Sequence, residues 1–410
     1  MRFLYSIGIQ LYNAAIHLAA LFNYKARLWV KGRQDVFHFL QKECAYRKHI
    51  IWFHSASLGE FEQGKPLMQQ YRAQHPECTI LATFFSPSGY EIKKNDPTAD
   101  IVCYLPIDSP RNAKRFVAIT HPEKAIFVKY EFWFNYMHQL KGNDIPFYYI
   151  SAIFRPSQYF FKPIGCWFAQ QLATCSYFFV QNNESKKLLN SIHIDQVKIA
   201  GDTRFDRVYD IANQNYELDF VRQFAGNDSK LIIAGSSWEP DERLLKQLLE
   251  KLPETYKLIL APHVIDAKHI EQIKNLYQGF STVCYSEKEQ KDLSPYRVLI
   301  IDTIGILSKI YKYSYISYVG GAFETGLHNI LEAAVFGVPL FFGPHYSKFN
   351  EAVQLVTLQG AFSITDYSEM LQKCELYGQN QDAYAAVCHI CKSFVQENLG
   401  SCEKIMEIIG

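Results

Sequence analysis

Charge of one sign is what this 410-residue chain lacks: 42 basic residues stand against 41 acidic ones, with 13 histidines. No global field points to a nucleic acid, so any basic patch can only be local and no nucleic-acid partner is expected. Framework cysteine spacing is missing too. The ten cysteines, at 44, 78, 103, 166, 175, 284, 374, 388, 391 and 402, are scattered through a chain too large to need disulfide staples, and read as reduced thiols in the cytoplasm. The one Cys-x-x-Cys, Cys388-His389-Ile390-Cys391, has no second pair to complete a zinc site. No internal repeat or low-complexity tract occurs. Neither half sets Gly-x-Gly-x-x-Gly directly after its first strand-like run, which disfavours a simple NAD-binding dehydrogenase.

A local absence is equally informative. From Phe3 to Tyr24 there is no Asp, Glu, Lys or Arg, and then Lys25, Arg27, Lys31 and Arg33 follow within nine positions. The run is long enough to span a bilayer, but Ser6, Gln10, Asn13 and His17 fall on one helical stripe. Opposite them lies an apolar face of Leu4, Ile7, Leu11, Ala14 and Leu18. This pattern predicts an amphipathic helix lying in an anionic membrane surface, with an ordinary core helix as the alternative. A cleaved signal peptide is disfavoured because the cations follow the apolar run and no small-residue cleavage site ends it.

What is present is a rhythm of short apolar runs separated by helix-like segments. The first half offers runs at 50–53, 79–84, 101–104, 125–128, 147–150 and 178–180; the second at 231–234, 257–260, 298–301, 316–319 and 339–342. Such runs predict parallel sheets covered on both faces, hence an α/β fold of two doubly wound domains. The rhythm weakens between about 202 and 229. We therefore divide the chain into a membrane-associated segment 1–34, a first domain 35–205 and a second domain 206–410. In such folds ligands collect at the carboxyl ends of strands, so the expected site is the cleft between the domains.

Two strand ends carry chemistry. After 316–319 comes Gly320-Gly321-Ala322-Phe323-Glu324-Thr325-Gly326-Leu327-His328-Asn329-Ile330-Leu331-Glu332, read as a glycine turn leading into a helix. Glycines admit a close backbone approach and a helix start presents N–H groups to a phosphate, while Asn329 and Glu332 sit three apart where a carboxylate could hold a ribose diol. A helix merely capped by Asn329 is the alternative. In the first half, His54-Ser55-Ala56-Ser57-Leu58-Gly59-Glu60 puts Glu60 at a strand-to-helix turn, where it could act as a general base. A helix start would lower its basicity unless desolvation or a second carboxylate offset that effect. Glu131, in Lys129-Tyr130-Glu131-Phe132-Trp133-Phe134-Asn135, sits at a similar junction and could converge with it.

Together with Gly201-Asp202-Thr203-Arg204-Phe205-Asp206 and Ala234-Gly235-Ser236-Ser237-Trp238-Glu239, these segments resemble, in order and approximate spacing along nearly the whole chain, the 3-deoxy-D-manno-octulosonic acid (Kdo) transferases of lipopolysaccharide assembly. The resemblance implies a GT-B glycosyltransferase of family 30. It would move Kdo from a CMP-Kdo donor to a lipid A precursor, with inversion, at the cytoplasmic face of the inner membrane, without metal or other cofactor. It implies Glu60 as general base, with Glu131 and Arg204 stabilising charge. It also implies contacts to CMP-Kdo from Pro262, His263, Ile304, Gly305, Ile306, Gly320, Gly321, Asn329, Ile330, Leu331 and Glu332. Some positions depart from the family pattern. Ala261-Pro262-His263 lacks the usual phosphate-clamping arginine, for which Lys268 or His345 could substitute; Ile330 replaces a proline, Tyr130 a small polar residue and Arg204 a common lysine. The alternatives are another membrane-associated GT-B transferase and a catalytically silent nucleotide-sugar-binding protein.

Overall fold

The computed structural model describes residues 1–324 and 326–410; Thr325, inside the glycine-rich stretch, lies outside the described residues. The chain forms two compact units, Met1–Arg207 with Leu399–Gly410, and Val208–Asn398. The first opens with helices α1 (Arg2–Ala19), α2 (Tyr24–Lys31) and α3 (Val36–Cys44). Then follow β1 (Ile50–Ser55), α4 (Leu58–Gln74), β2 (Thr79–Phe84), β3 (Ile101–Tyr104), β4 (Lys124–Val128), β5 (Phe147–Ala152), β6 (Tyr177–Val180) and β7 (Val197–Ile199). All strand pairs are parallel, in the order β3-β2-β1-β4-β5-β6-β7. Alternate residues feed two cores: Trp52, Leu81, Phe127 and Tyr149 on one face, Phe53, Ile80, Ile126 and Ile150 on the other. Burial on both faces explains why these strands are continuously apolar.

The second unit has β8 (Lys230–Ser237), β9 (Tyr256–Pro262), β10 (Thr282–Cys284), β11 (Val298–Ile300), β12 (Ile316–Val319), β13 (Leu340–Phe342) and β14 (Ala361–Ser363). Its order is β10-β11-β9-β8-β12-β13-β14, again all parallel. In each sheet the direction of winding reverses beside the first strand, between β1 and β4 in one and between β8 and β12 in the other. Doubly wound sheets bind ligands at that switch point. The carboxyl ends of these four strands carry the Glu60, Glu131, Trp238 and Gly320 segments.

The sequence-based domain division needs a correction at its end. A second domain running to 410 is not what forms, because the last helix, Ser401–Ile409, inserts Cys402, Ile405, Met406 and Ile409 into the first unit's core against Phe61 and Met68 of α4. Asp206 fixes the return, accepting the Gly400 and Cys402 backbone N–H groups at 2.7 Å each.

α1 is hydrogen-bonded to the rest of the unit through its first turn, and Tyr12 farther along stacks on Phe85 with centroids 6.3 Å apart. The Tyr5 hydroxyl donates to the buried Asp108 carboxylate at 2.6 Å, and Arg2 donates to Asn135 at 3.1 Å. No α1 residue is buried, and Phe3, Leu4, Leu11 and Leu18 are largely exposed. The core-helix alternative therefore fails. No helix among the described residues is long and apolar enough to cross a membrane.

Candidate active site

In the first unit the site is built where β1 and β4 end. Ser57 ends the turn after β1, and Glu60, in the first turn of α4, folds its carboxylate back onto that turn. It accepts the Ala56 N–H at 2.5 Å and the Ser57 N–H at 3.3 Å. These bonds favour the ionised form, as does Lys129, but burial outweighs them, and the negative charge of Glu131 adds to burial. The Glu60 carboxyl is pushed up to about 7. The condition set for a general base at a helix start, desolvation or a second carboxylate, is met by both at once. Glu60 and Glu131 share one electrostatic neighbourhood, the two strand ends flanking the switch point.

Lys129 turns the chain out of β4 with a left-handed φ of 64°, so Tyr130 and Glu131 leave the strand sharply. Behind Glu131 lies His54, the fully buried penultimate residue of β1. Its Nε2 is 3.7 Å from a Glu131 carboxylate oxygen and accepts the Trp133 indole N–H at 2.9 Å.

Arg204 reaches this unit by another route. Gln63, one turn along α4 from Glu60, donates to Asp202 at 2.8 Å. Asp202 in turn accepts the Arg204 Nε–H at 2.8 Å and lies 2.7 Å from its terminal nitrogen. The charge of Arg204, with its hydrogen bonds, holds Asp202 below its usual range despite burial. Arg204 is thus oriented by Asp202 and linked through Gln63 to the helix that carries Glu60.

In the second unit, Gly320 and Gly321 are dictated by space. A side chain on Gly320 would meet the Ser236 carbonyl at 2.4 Å, and Gly321 has a φ of 94°. Asp241 holds the turn, accepting the Gly321 N–H at 3.0 Å, the Trp238 N–H at 2.9 Å and the Tyr318 hydroxyl at 2.7 Å. His263, just past β9, stacks against both Trp238 and His328, with centroids 4.8 and 4.5 Å away. Trp238 also donates its indole N–H to His328 at 3.2 Å. Burial and the neighbouring His263 push His328 down to about 4, and burial lowers His263. Both rings are therefore neutral at pH 7.

The helix expected after this turn is shorter than the sequence suggests. It is one turn long, Leu331–Ala334, and Asn329 precedes it. The capped and the nucleotide-site readings meet here. Asn329 accepts the Leu331 N–H at 3.3 Å and donates to Glu332 at 3.1 Å, so it both starts the helix and aims the carboxylate. Ile330 and Leu331 are buried in the packing. Gly305 has a φ of 91°, and Ile304 beside it is 75% exposed. Pro262 is buried; Lys268 and His345 are both exposed. Among the described residues no cluster of three or more potential ligands could hold a metal. The motifs alone did not single out Trp238 and His328 as partners of His263, nor His54 and Trp133 as partners of Glu131. Aromatic residues at strand ends were the available signal.

Residues 31–207 match the family model of 3-deoxy-D-manno-octulosonic-acid transferase (kdotransferase). The chain is 29% identical over 344 residues to the 3-deoxy-D-manno-octulosonic acid transferase of Aquifex aeolicus, covering 81% of this chain and 86% of that one. It is 27% identical over 376 residues to the enzyme of that name from Haemophilus influenzae, covering 88% and 86%. Among solved structures, UDP-GlcNAc 2-epimerase from Neisseria meningitidis bound to UDP-GlcNAc aligns with a TM-score of 0.61 at 14% identity over 87% of this chain and 98% of that one. MurG of Acinetobacter baumannii aligns at 0.53 and 12% identity over 88% and 99%. These last two establish the fold alone: two parallel-sheet α/β domains of GT-B type.

Proposed function

We propose that this chain, a homologue of the 3-deoxy-D-manno-octulosonic acid transferases over most of its length, transfers Kdo from CMP-Kdo to a lipid A precursor of the lipid IVA type, with inversion. The observation that carries the reading is Glu60, a buried carboxylate at about 7 beside a second carboxylate, on a chain so related. A base poised near neutrality can take the acceptor hydroxyl's proton as that oxygen forms its bond to the anomeric carbon. On the opposite face of that carbon the bond to the CMP phosphate breaks, and the electron pair leaves with CMP. Glu131 keeps Glu60 basic and offsets positive charge developing at the carbon. Arg204, steered by Asp202, stabilises negative charge.

The second unit takes the nucleotide. The Gly320–Gly321 turn lets phosphate oxygens approach backbone N–H groups, the Trp238–His263–His328 stack offers a flat neutral face, and Glu332, aimed by Asn329, accepts ribose hydroxyls. Because both histidines are neutral, they serve as hydrogen-bonding and stacking groups, and the missing arginine is not replaced by imidazolium charge. α1 lies in the membrane surface at the cytoplasmic face of the inner membrane. Its Phe3, Leu4, Leu11 and Leu18 side chains are exposed, and Lys25, Arg27 and Lys31 follow at the surface. Arg33 is not part of that cationic patch. It is sandwiched against Trp29, Phe85 and Tyr104, and donates to the Leu105, Trp29 and Phe85 carbonyls.

Incubation of the purified protein with CMP-Kdo and a tetraacylated lipid A precursor, followed by mass spectrometry of the lipid, tests the reaction. A lipid heavier by one or more Kdo residues is expected. An unmodified lipid in the presence of bound CMP-Kdo would favour the silent binding protein instead.

A further inference from the structure

The hydrogen bonds around His54 determine where its proton sits. The indole of Trp133 can only donate, and it points at His54 Nε2 from 2.9 Å, so that nitrogen must present a lone pair. The ring's one hydrogen is then on Nδ1, 2.9 Å from the Thr83 hydroxyl oxygen. Thr83 can receive it. Its oxygen also accepts the Trp52 indole N–H at 2.8 Å, and its own hydrogen faces the Phe53 carbonyl at 3.4 Å. Every donor in this chain has an acceptor only if His54 is neutral. A proton added at Nε2 would set two N–H groups against each other. That same proton is the one that would face Glu131, whose carboxylate oxygen is 3.7 Å from Nε2.

We propose that Trp133 is a positioning residue for the transfer reaction: by donating to His54 it holds that ring neutral, denies Glu131 a cationic partner there, and so preserves the charge that keeps Glu60 a strong base. This rests on Glu60 being the base. The groups facing Glu60 are Glu131, Lys129 and Tyr130 from the loop after β4, with the Ala56 and Ser57 N–H groups from its own turn. Arg155 faces Tyr130 from the segment after β5. Around His54 the neighbouring rings, Trp52, Phe127 and Trp133, are uncharged. The Glu131 charge is therefore a principal lever on Glu60, and His54 is a group placed to cancel it.

Trp133→Phe keeps a ring against Phe85 while removing the donor. Rates with CMP-Kdo and lipid acceptor across pH 5–9, for wild type, Glu60→Gln, Trp133→Phe and Trp133→Phe/His54→Asn, give the kinetic test. In Trp133→Phe the acidic limb of kcat/KM should move down by roughly one pH unit, the effect of one neighbouring charge, with the plateau, where the imidazole is neutral in both proteins, little changed. The double variant, with no imidazole to charge, should return the limb toward wild type. Imidazole nitrogen NMR supplies a reading independent of turnover: His54 should show the Nδ1–H form in wild type and gain an imidazolium signal at low pH in Trp133→Phe. An inactive Glu60→Gln with an unmoved Trp133→Phe limb and an unchanged His54 spectrum would overturn the role of Trp133 alone. An active Glu60→Gln would overturn the base assignment beneath it.

Discussion

Replacing Glu60 by Gln should make the protein more stable at pH 8 than the wild type while costing it its activity. Glu60 sits at about 7 when folded against an ordinary 4.5. At about 1.4 kcal/mol per unit this amounts to about 3 kcal/mol of pH-dependent stability. The sign follows from proton counting. Between about pH 4.5 and 7 the folded protein holds a proton that the unfolded chain has released. The stabilisation is thus fully present below about 4.5 and lost as pH rises through about 7. Above that, the wild type carries a buried charge beside Glu131, whereas the variant's amide is neutral at every pH. The amide carbonyl can still accept the Ala56 N–H, so the turn after β1 stays intact. Urea melts of both proteins at pH 5 and pH 8, followed by tryptophan fluorescence, should show a gap of up to about 3 kcal/mol opening in the variant's favour at the higher pH. Buried Asp108, pushed up to about 6 by burial, is common to both proteins and cancels in the difference. A gap that stays constant with pH would refute the raised carboxyl.

Other outcomes follow from the same contacts. Glu332→Ala should weaken CMP binding by about tenfold, the loss of roughly one charge-assisted hydrogen bond, with calorimetry as the check. Leu4→Ser, Leu11→Ser and Leu18→Ser together leave the Tyr5–Asp108 bond in place and should release the protein from anionic vesicles in a sedimentation assay. Arg33→Ala should cost about 3 kcal/mol in denaturant melts, because it empties a stacked, triply hydrogen-bonded site. Gly320→Ala should abolish nucleotide binding or folding, since the added carbon would sit 2.4 Å from the Ser236 carbonyl.

Most of the sheet architecture was legible in the chain because strands buried on both faces must be apolar throughout. The eleven runs read from sequence correspond to β1–β6, β8, β9 and β11–β13. The three missed, β7, β10 and β14, are edge strands with partly exposed positions, so they lack the continuous apolar run that marks the equally short but fully buried β11 and β13. The return of Ser401–Ile409 to the first unit was invisible for a different reason: an amphipathic helix does not say which core its apolar face will meet. Within the site, Glu60 and Glu131 could be read from their places after strands. The balance between burial and a helix start at Glu60, by contrast, needed coordinates. Arg33 shows the same limit in reverse, since a cation among cations looked like membrane contact until its carbonyl partners were seen.

The most direct measurement is a single turnover of Glu60→Gln with CMP-Kdo and the lipid acceptor, alongside a donor-binding isotherm. Transfer slowed by roughly 10²–10⁴-fold with donor affinity retained is the predicted result. Turnover at the wild-type rate would contradict the assignment of Glu60 as the base.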